Sequence, residues 1–105
     1  MAGLKDFLEE TGLEVTRCEA PPGTCEALLT VICPEHQRIQ VSLQLRFQGR
    51  RCFCEATFID EDEARSKNFN PRKIAVRNIE LSTLGTFAHK LKELVDELLI
   101  AANRE

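Results

Sequence analysis

The sequence predicts an α+β fold, in which an antiparallel sheet of four to five strands carries a short N-terminal helix and a long C-terminal helix on one face. Two observations predict it. Residues 39–47 alternate apolar and polar side chains without a break, which is the period of a half-buried strand. Residues 84–102 repeat apolar side chains at helical spacing. The chain of 105 residues has the length of one domain, 1–105.

The first third of the chain predicts a helix and two strands. Apolar residues at helical spacing precede Gly12, which is a suitable helix stop. Residues 13–20 alternate weakly, as in a strand, and residues 21–24 have the composition of a turn. Residues 25–33 are apolar and rich in β-forming residues, which predicts a second strand.

The next two strands form a hairpin whose register follows from its turn. Gly49-Arg50 has the chemistry of a two-residue type II′ turn. Closing the chain there places apolar residues opposite small or apolar ones: Phe47 opposite Cys52, Leu45 opposite Cys54, Leu43 opposite Ala56 and Val41 opposite Phe58. The five-residue loop 34–38 then puts the apolar residues of the preceding strand on the same inner face. The outer face is mostly polar but includes Leu28, Ile32 and Phe53.

The last part of the chain predicts one more strand and the long helix. Residues 60–63 are acidic and predict a loop or a first helical turn, and residues 64–73 predict irregular structure. Residues 73–81 predict a strand, and Ser82 or Thr83 is a suitable helix cap. Leu99 and Ile100 widen the apolar stripe of the helix, so we expect a homodimer that forms through it.

Composition excludes several classes of protein. No apolar run approaches the roughly 18 residues that span a bilayer, so we expect no membrane partner. Acids stand where a signal peptide is apolar, and the five cysteines then indicate reduced thiols, so we expect a cytoplasmic protein.

Neither an active site nor a metal site is predicted. His36 and His89 are the two histidines, and no sequence pattern brings either of them next to a cysteine, although a catalytic Cys–His pair stays an open alternative. The sequence contains no phosphate-binding loop motif. Cys33 and His36 could join Cys52 and Cys54 as zinc ligands. The strand between the two pairs is about 30 Å long, however, which is too far for one metal. We therefore expect no enzyme, no cofactor and no metal.

Basic residues are segregated in this acidic chain of net charge −3. Residues 36–54 and 64–79 contain no acid and hold nine of the fourteen Lys and Arg residues. Such segregation creates a positive field that attracts phosphate, and an arginine beside an exposed aromatic can stack a base. The prediction is a single-stranded nucleic-acid site at Arg46, Arg50, Arg51, Phe53, Lys67, Arg72, Lys73 and Arg77. The same residues also fit solvated surface charges offset by the acids at 60–63.

Short motifs resemble one known family. Phe47-Gln48-Gly49-Arg50 followed by Phe58, and the segment Arg77-Asn78-Ile79-Glu80-Leu81-Ser82, are similar to the second hairpin and the helix entry of the positive-cofactor-four transcriptional coactivators. The family has glycine where this chain has Asn78. The resemblance implies a four-stranded sheet, a dimer formed through the long helix, and single-stranded DNA on the sheet and hairpin loops. It gives binding roles to Arg46, Arg50, Arg51 and Arg77.

A second function fits the same fold. As a small acidic α+β protein with a long amphipathic last helix, this chain also resembles secretion-chaperone-type and adaptor dimers. Those dimers bind a protein segment on an apolar sheet face. Leu28, Ile32 and Phe53 would then be the contact residues. Salt distinguishes the two functions, because nucleic-acid binding weakens steeply as salt rises and apolar peptide binding does not.

Overall fold

A computed structural model describes residues 2–103 and contains one five-stranded antiparallel sheet in the order β1-β2-β3-β4-β5. The α+β fold predicted from the sequence is confirmed. The elements in chain order are α1 (Ala2–Glu10), β1 (Glu14–Glu19), β2 (Glu26–Cys33), a 3₁₀ turn (Pro34–His36), β3 (Ile39–Gln48), β4 (Arg51–Phe58), α2 (Glu61–Ser66), β5 (Ala75–Glu80) and α3 (Leu84–Asn103).

The central hairpin has the register that its turn predicts. Gly49 has a φ of 61°, which the first position of a type II′ turn requires and which glycine adopts without strain. All four predicted pairs are present, from Phe47 opposite Cys52 to Val41 opposite Phe58. The alternation therefore sends one set of side chains to an inner face, under the helices, and the other set to an outer face.

The inner face of the sheet and the helices α1 and α3 enclose the core. The helix α3 packs on β4, β5 and α1, and α1 also packs on β1. Leu99, which widens the apolar stripe of α3, is buried inside the chain, whereas Ile100 is exposed. The wide stripe thus serves contacts with both the sheet and α1, and dimerisation through α3 stays a prediction.

The acidic run begins a short helix, and this corrects one boundary. Asp60 Oδ1 accepts hydrogen bonds from the backbone N–H groups of Asp62 and Glu63, at 3.0 and 3.1 Å. The helix α2 continues through Ser66, so the prediction of irregular structure from residue 64 was wrong for its first three residues. Ala64 and Arg65 are good helix formers and Ala64 is buried in the core, whereas the residues that disfavour regular structure begin only at Asn68.

Replacing Asp60 with Ala is expected to lower the free energy of unfolding by about 1 kcal/mol, because two N–H groups of α2 lose their acceptor. Urea denaturation followed by far-ultraviolet circular dichroism measures the change. Asp60→Asn keeps an oxygen acceptor and is expected to retain most of the stability. Equal losses in the two variants would show that the charge matters and the cap does not.

Candidate functional site

The outer face of the sheet contains a groove of ≈ 550 Å³. It crosses β2, β3 and β4 near the hairpin end of the sheet, and the β1–β2 connection forms one side. Its lining combines apolar and acidic side chains with one arginine: Glu19, Pro21, Glu26, Ala27, Leu28, Gln44, Leu45, Arg46, Phe53 and Glu55. We call this surface the outer groove.

Strand register explains how the outer groove is built. Leu28 pairs with Gln44 on β3, and Arg46 pairs with Phe53 on β4. Leu28 and Phe53 are therefore two strands and two residues apart, about 12 Å, with polar side chains between them. Leu28 is half-buried, while the Phe53 side chain is 44% exposed. The groove thus has two apolar walls and a polar floor.

Carboxylates outnumber guanidinium groups among the side chains that line the outer groove. Three glutamates line it against one arginine, Arg46. The Nε atom of Arg46 lies 3.4 Å from a carboxylate oxygen of Glu26, so this guanidinium already has a counter-charge. Arg17 offsets Glu19 from outside the groove, at 2.6 Å. Glu55 is thus the lining carboxylate that has no ion pair in the described range, and it gives the groove a local preference for a cationic side chain.

The structure places Arg50 and Arg51 at the hairpin tip, next to the outer groove. Both are exposed, and neither forms an ion pair with any residue in the described range 2–103. Arg51 is opposite Glu80 in the register of β4 and β5. The tip is thus a pair of solvated cations beside an acidic groove.

The loop cations predicted for the same site lie at the far end of the sheet. Lys67 Nζ donates to the backbone oxygen of Gln37 at 2.7 Å and contacts Glu63 at 2.9 Å. Gln37 precedes β3, while Arg50 follows it, and a ten-residue strand is about 33 Å long. Arg72 and Lys73 follow α2 and precede β5. They do not join the residues at the hairpin tip.

Arg77 lies on the inner face. It pairs with Cys54 across β4 and β5, and its guanidinium reaches two glutamates of α3, Glu93 at 3.1 Å and Glu97 at 2.7 Å. The eight residues of the predicted nucleic-acid site are therefore divided among the hairpin end of the sheet, the loop region at the opposite end and the inner face.

The structure brings together two of the three residues predicted to contact a protein segment, Leu28, Ile32 and Phe53. Leu28 and Phe53 both line the outer groove, but Ile32 is buried at the other end of β2, between Glu14 and Gln40. Sequence reasoning did not identify Glu19 and Glu26 as part of this surface. The signal for Glu26 was present, because closing the loop 34–38 sets it opposite Arg46.

The three buried cysteines are poorly placed to act as nucleophiles. Burial raises the pKa of the Cys33 thiol, which keeps it protonated, and the side chain is inaccessible to a substrate. Cys52 and Cys54 are buried side by side on the inner face, with sulfur atoms 3.5 Å apart. The hydrogen bond between these thiols, together with burial, raises the pKa of Cys54. Both act as small core residues, as the hairpin register predicts.

Comparisons with protein families, with curated proteins and with solved structures found no match for this chain. Within residues 2–103, no helix has the length and apolar character needed to cross a membrane.

Proposed function

We propose that this chain is a non-enzymatic binding protein whose outer groove binds a protein segment that combines apolar side chains with Lys or Arg. One observation carries the proposal: Leu28 and Phe53 flank a groove that three glutamates and one arginine line. Apolar walls supply affinity, and the excess of carboxylates selects positive charge.

Phe53 is the expected anchor of this interaction. A large aromatic side chain that is nearly half exposed loses that exposure when a ligand side chain packs on it. Aromatic side chains contribute a large part of the binding energy at many interfaces, and truncating a hot spot costs about 2 kcal/mol or more. Glu19, Glu26 and Glu55 then pair with basic side chains of the ligand around this contact.

Single-stranded nucleic acid is the less favoured ligand. The exposed arginines at the hairpin tip, Arg50 and Arg51, support it, but the carboxylates of the adjacent groove repel phosphate. The other predicted cations are remote from the tip, and Arg77 is engaged with α3. The resemblance to the positive-cofactor-four family supports the same ligand through Arg46, Arg50 and Arg51 alone.

Two further features belong to this proposal. A cytoplasmic location is supported by the five free cysteines, as expected of a reducing compartment. A homodimer formed through α3 would use Leu84 and Ile100, the large apolar side chains that this helix leaves exposed.

Fluorescence anisotropy with labelled 12-residue peptides tests the proposed function. One peptide alternates Leu or Phe with Lys, and a matched peptide has Glu in place of Lys. We expect the basic peptide to bind in the micromolar range and the acidic one to bind at least tenfold more weakly. Phe53→Ser should weaken binding of the basic peptide about tenfold or more, because the groove loses its aromatic anchor.

Phe7→Ser is the matched control, since Phe7 is 38% exposed on α1, away from the groove. It should leave binding unchanged. A labelled thymidine oligonucleotide is the competing probe. The proposal is wrong if neither peptide binds and the oligonucleotide does. The hairpin tip is then a nucleic-acid site, provided that oligonucleotide binding weakens as salt rises and disappears in the variant Arg50→Glu/Arg51→Glu. Failure of all three probes also overturns it.

A further inference from the structure

Three side chains of the types that bind transition metals meet at the far end of β2, on the inner face of the sheet. The Cys33 sulfur, a ring nitrogen of His36 and a carboxylate oxygen of Asp96 all lie within 4.8 Å of one another. These residues come from β2, from the 3₁₀ turn and from α3. This cluster lies at the opposite end of β2 from the outer groove and on the other side of the sheet.

Local backbone geometry brings the first two residues together. Cys33 directly precedes the 3₁₀ turn and His36 is its last residue, so the two side chains are three residues apart in the chain. Gln37 and Arg38 follow with φ values of 64° and 56°, which returns the chain into β3. The cluster therefore rests on a turn that is fixed at both ends by strands.

Helix α3 supplies the third residue. Asp96 is held by Lys92, one turn earlier, whose Nζ lies 2.7 and 2.8 Å from its two carboxylate oxygens. The Lys92 ammonium is thus the local counter-charge of the carboxylate. Packing of α3 on the sheet then carries both side chains to the end of β2.

We propose that Cys33, His36 and Asp96 bind a divalent transition-metal ion of the zinc class, with a fourth position left to water. Thiolate, imidazole and carboxylate are together the ligands that zinc prefers, whereas calcium and magnesium take oxygen ligands. Three atoms no more than 4.8 Å apart leave a point within about 2.8 Å of each, close to zinc–ligand distances of about 2.0–2.3 Å. Small side-chain rotations close the difference.

Burial defines how the ion reaches the site. Cys33 is 1% exposed, while His36 and Asp96 are half-buried, so a metal ion would approach the sulfur past these two side chains. The ion enters between these two side chains and displaces both the Lys92 ammonium from Asp96 and the thiol proton, which passes to solvent. Lys92 is therefore a competitor of the metal.

Cobalt(II) titration of the full chain, followed by absorption, tests the site. We expect one equivalent to bind with a sulfur-to-cobalt charge-transfer band that zinc abolishes by displacing cobalt. Cys33→Ser should remove the band. His36→Ala and Asp96→Asn, at half-buried positions that tolerate substitution, should weaken binding by at least about tenfold. Lys92→Met should tighten it several-fold, because the competing cation is gone.

The chain offers a matched control for each ligand. His89→Ala, Cys52→Ala and Asp62→Asn change the same residue types elsewhere and should leave the titration unchanged. Circular dichroism confirms that each variant is folded. The proposal is overturned if the native chain binds no cobalt at submillimolar concentration. A band that persists in Cys33→Ser but disappears in Cys52→Ala overturns it as well, since the metal would then sit at the Cys52–Cys54 pair.

Discussion

Replacing Leu94 with Ala is expected to lower the free energy of unfolding by about 3 kcal/mol. Leu94 is 0% exposed in the middle of α3, within the core that the helices and the inner face share. Its truncation removes buried methyl groups and leaves a cavity that the strands cannot close. The chain has no Trp or Tyr, so urea denaturation is followed by far-ultraviolet circular dichroism.

Ile100→Ala is the matched control for this experiment. Ile100 lies on the same helix but is 52% exposed in the single chain, so its truncation should cost less than about 0.5 kcal/mol at protein concentrations where the chain is monomeric. A small loss for Leu94→Ala, equal to that of the control, would mean that α3 does not pack on the sheet in solution. A loss at Ile100 as large as that at Leu94 would instead show that Ile100 is covered, as the predicted dimer requires.

The central hairpin could be predicted from the sequence because two independent signals fix its register. The alternation along 39–47 defines a face, and the Gly49-Arg50 turn defines which residues pair. A slip of one residue would move every apolar side chain of a strand to the outer face, so the alternation excludes odd shifts and the turn selects among the rest. The Arg46–Phe53 wall of the outer groove followed directly from that register.

Other features depend on packing that no local pattern encodes. The register of β1 on β2 shifts between Val15 and Arg17, and the alternation along 13–20 is too weak to reveal it. Asp96 joins Cys33 and His36 only because α3 crosses the sheet at a particular angle. Helix periodicity places Asp96 on a polar face but says nothing about what that face meets.

Arg77 is an exception, since its position could have been inferred. Ala75 and Ile79 are apolar and two residues away on either side, so the period of a strand places Arg77 with them on the inner face. Grouping the basic residues by their distance in sequence obscured that parity. The strand itself was predicted correctly, within the bounds 73–81.

Replacing Arg77 with Glu is therefore expected to lower the free energy of unfolding by about 2 kcal/mol. The change removes ion pairs to Glu93 and Glu97, worth up to about 1 kcal/mol each at a side chain that is one-third exposed, and adds repulsion among three carboxylates. Arg50→Glu, at the exposed hairpin tip, is the control and should cost less than about 0.5 kcal/mol.

A reciprocal exchange separates the ion pairs from other effects of the substitution. Adding Glu97→Lys to Arg77→Glu should restore about half of the lost stability, because one pair is rebuilt with reversed charges. No recovery in the double variant would contradict the assigned pairing. The result also bears on ligand binding. Because Arg77→Glu destabilises the fold, a loss of oligonucleotide binding in that variant would not identify a phosphate contact. A loss of oligonucleotide binding in Arg50→Glu would identify one.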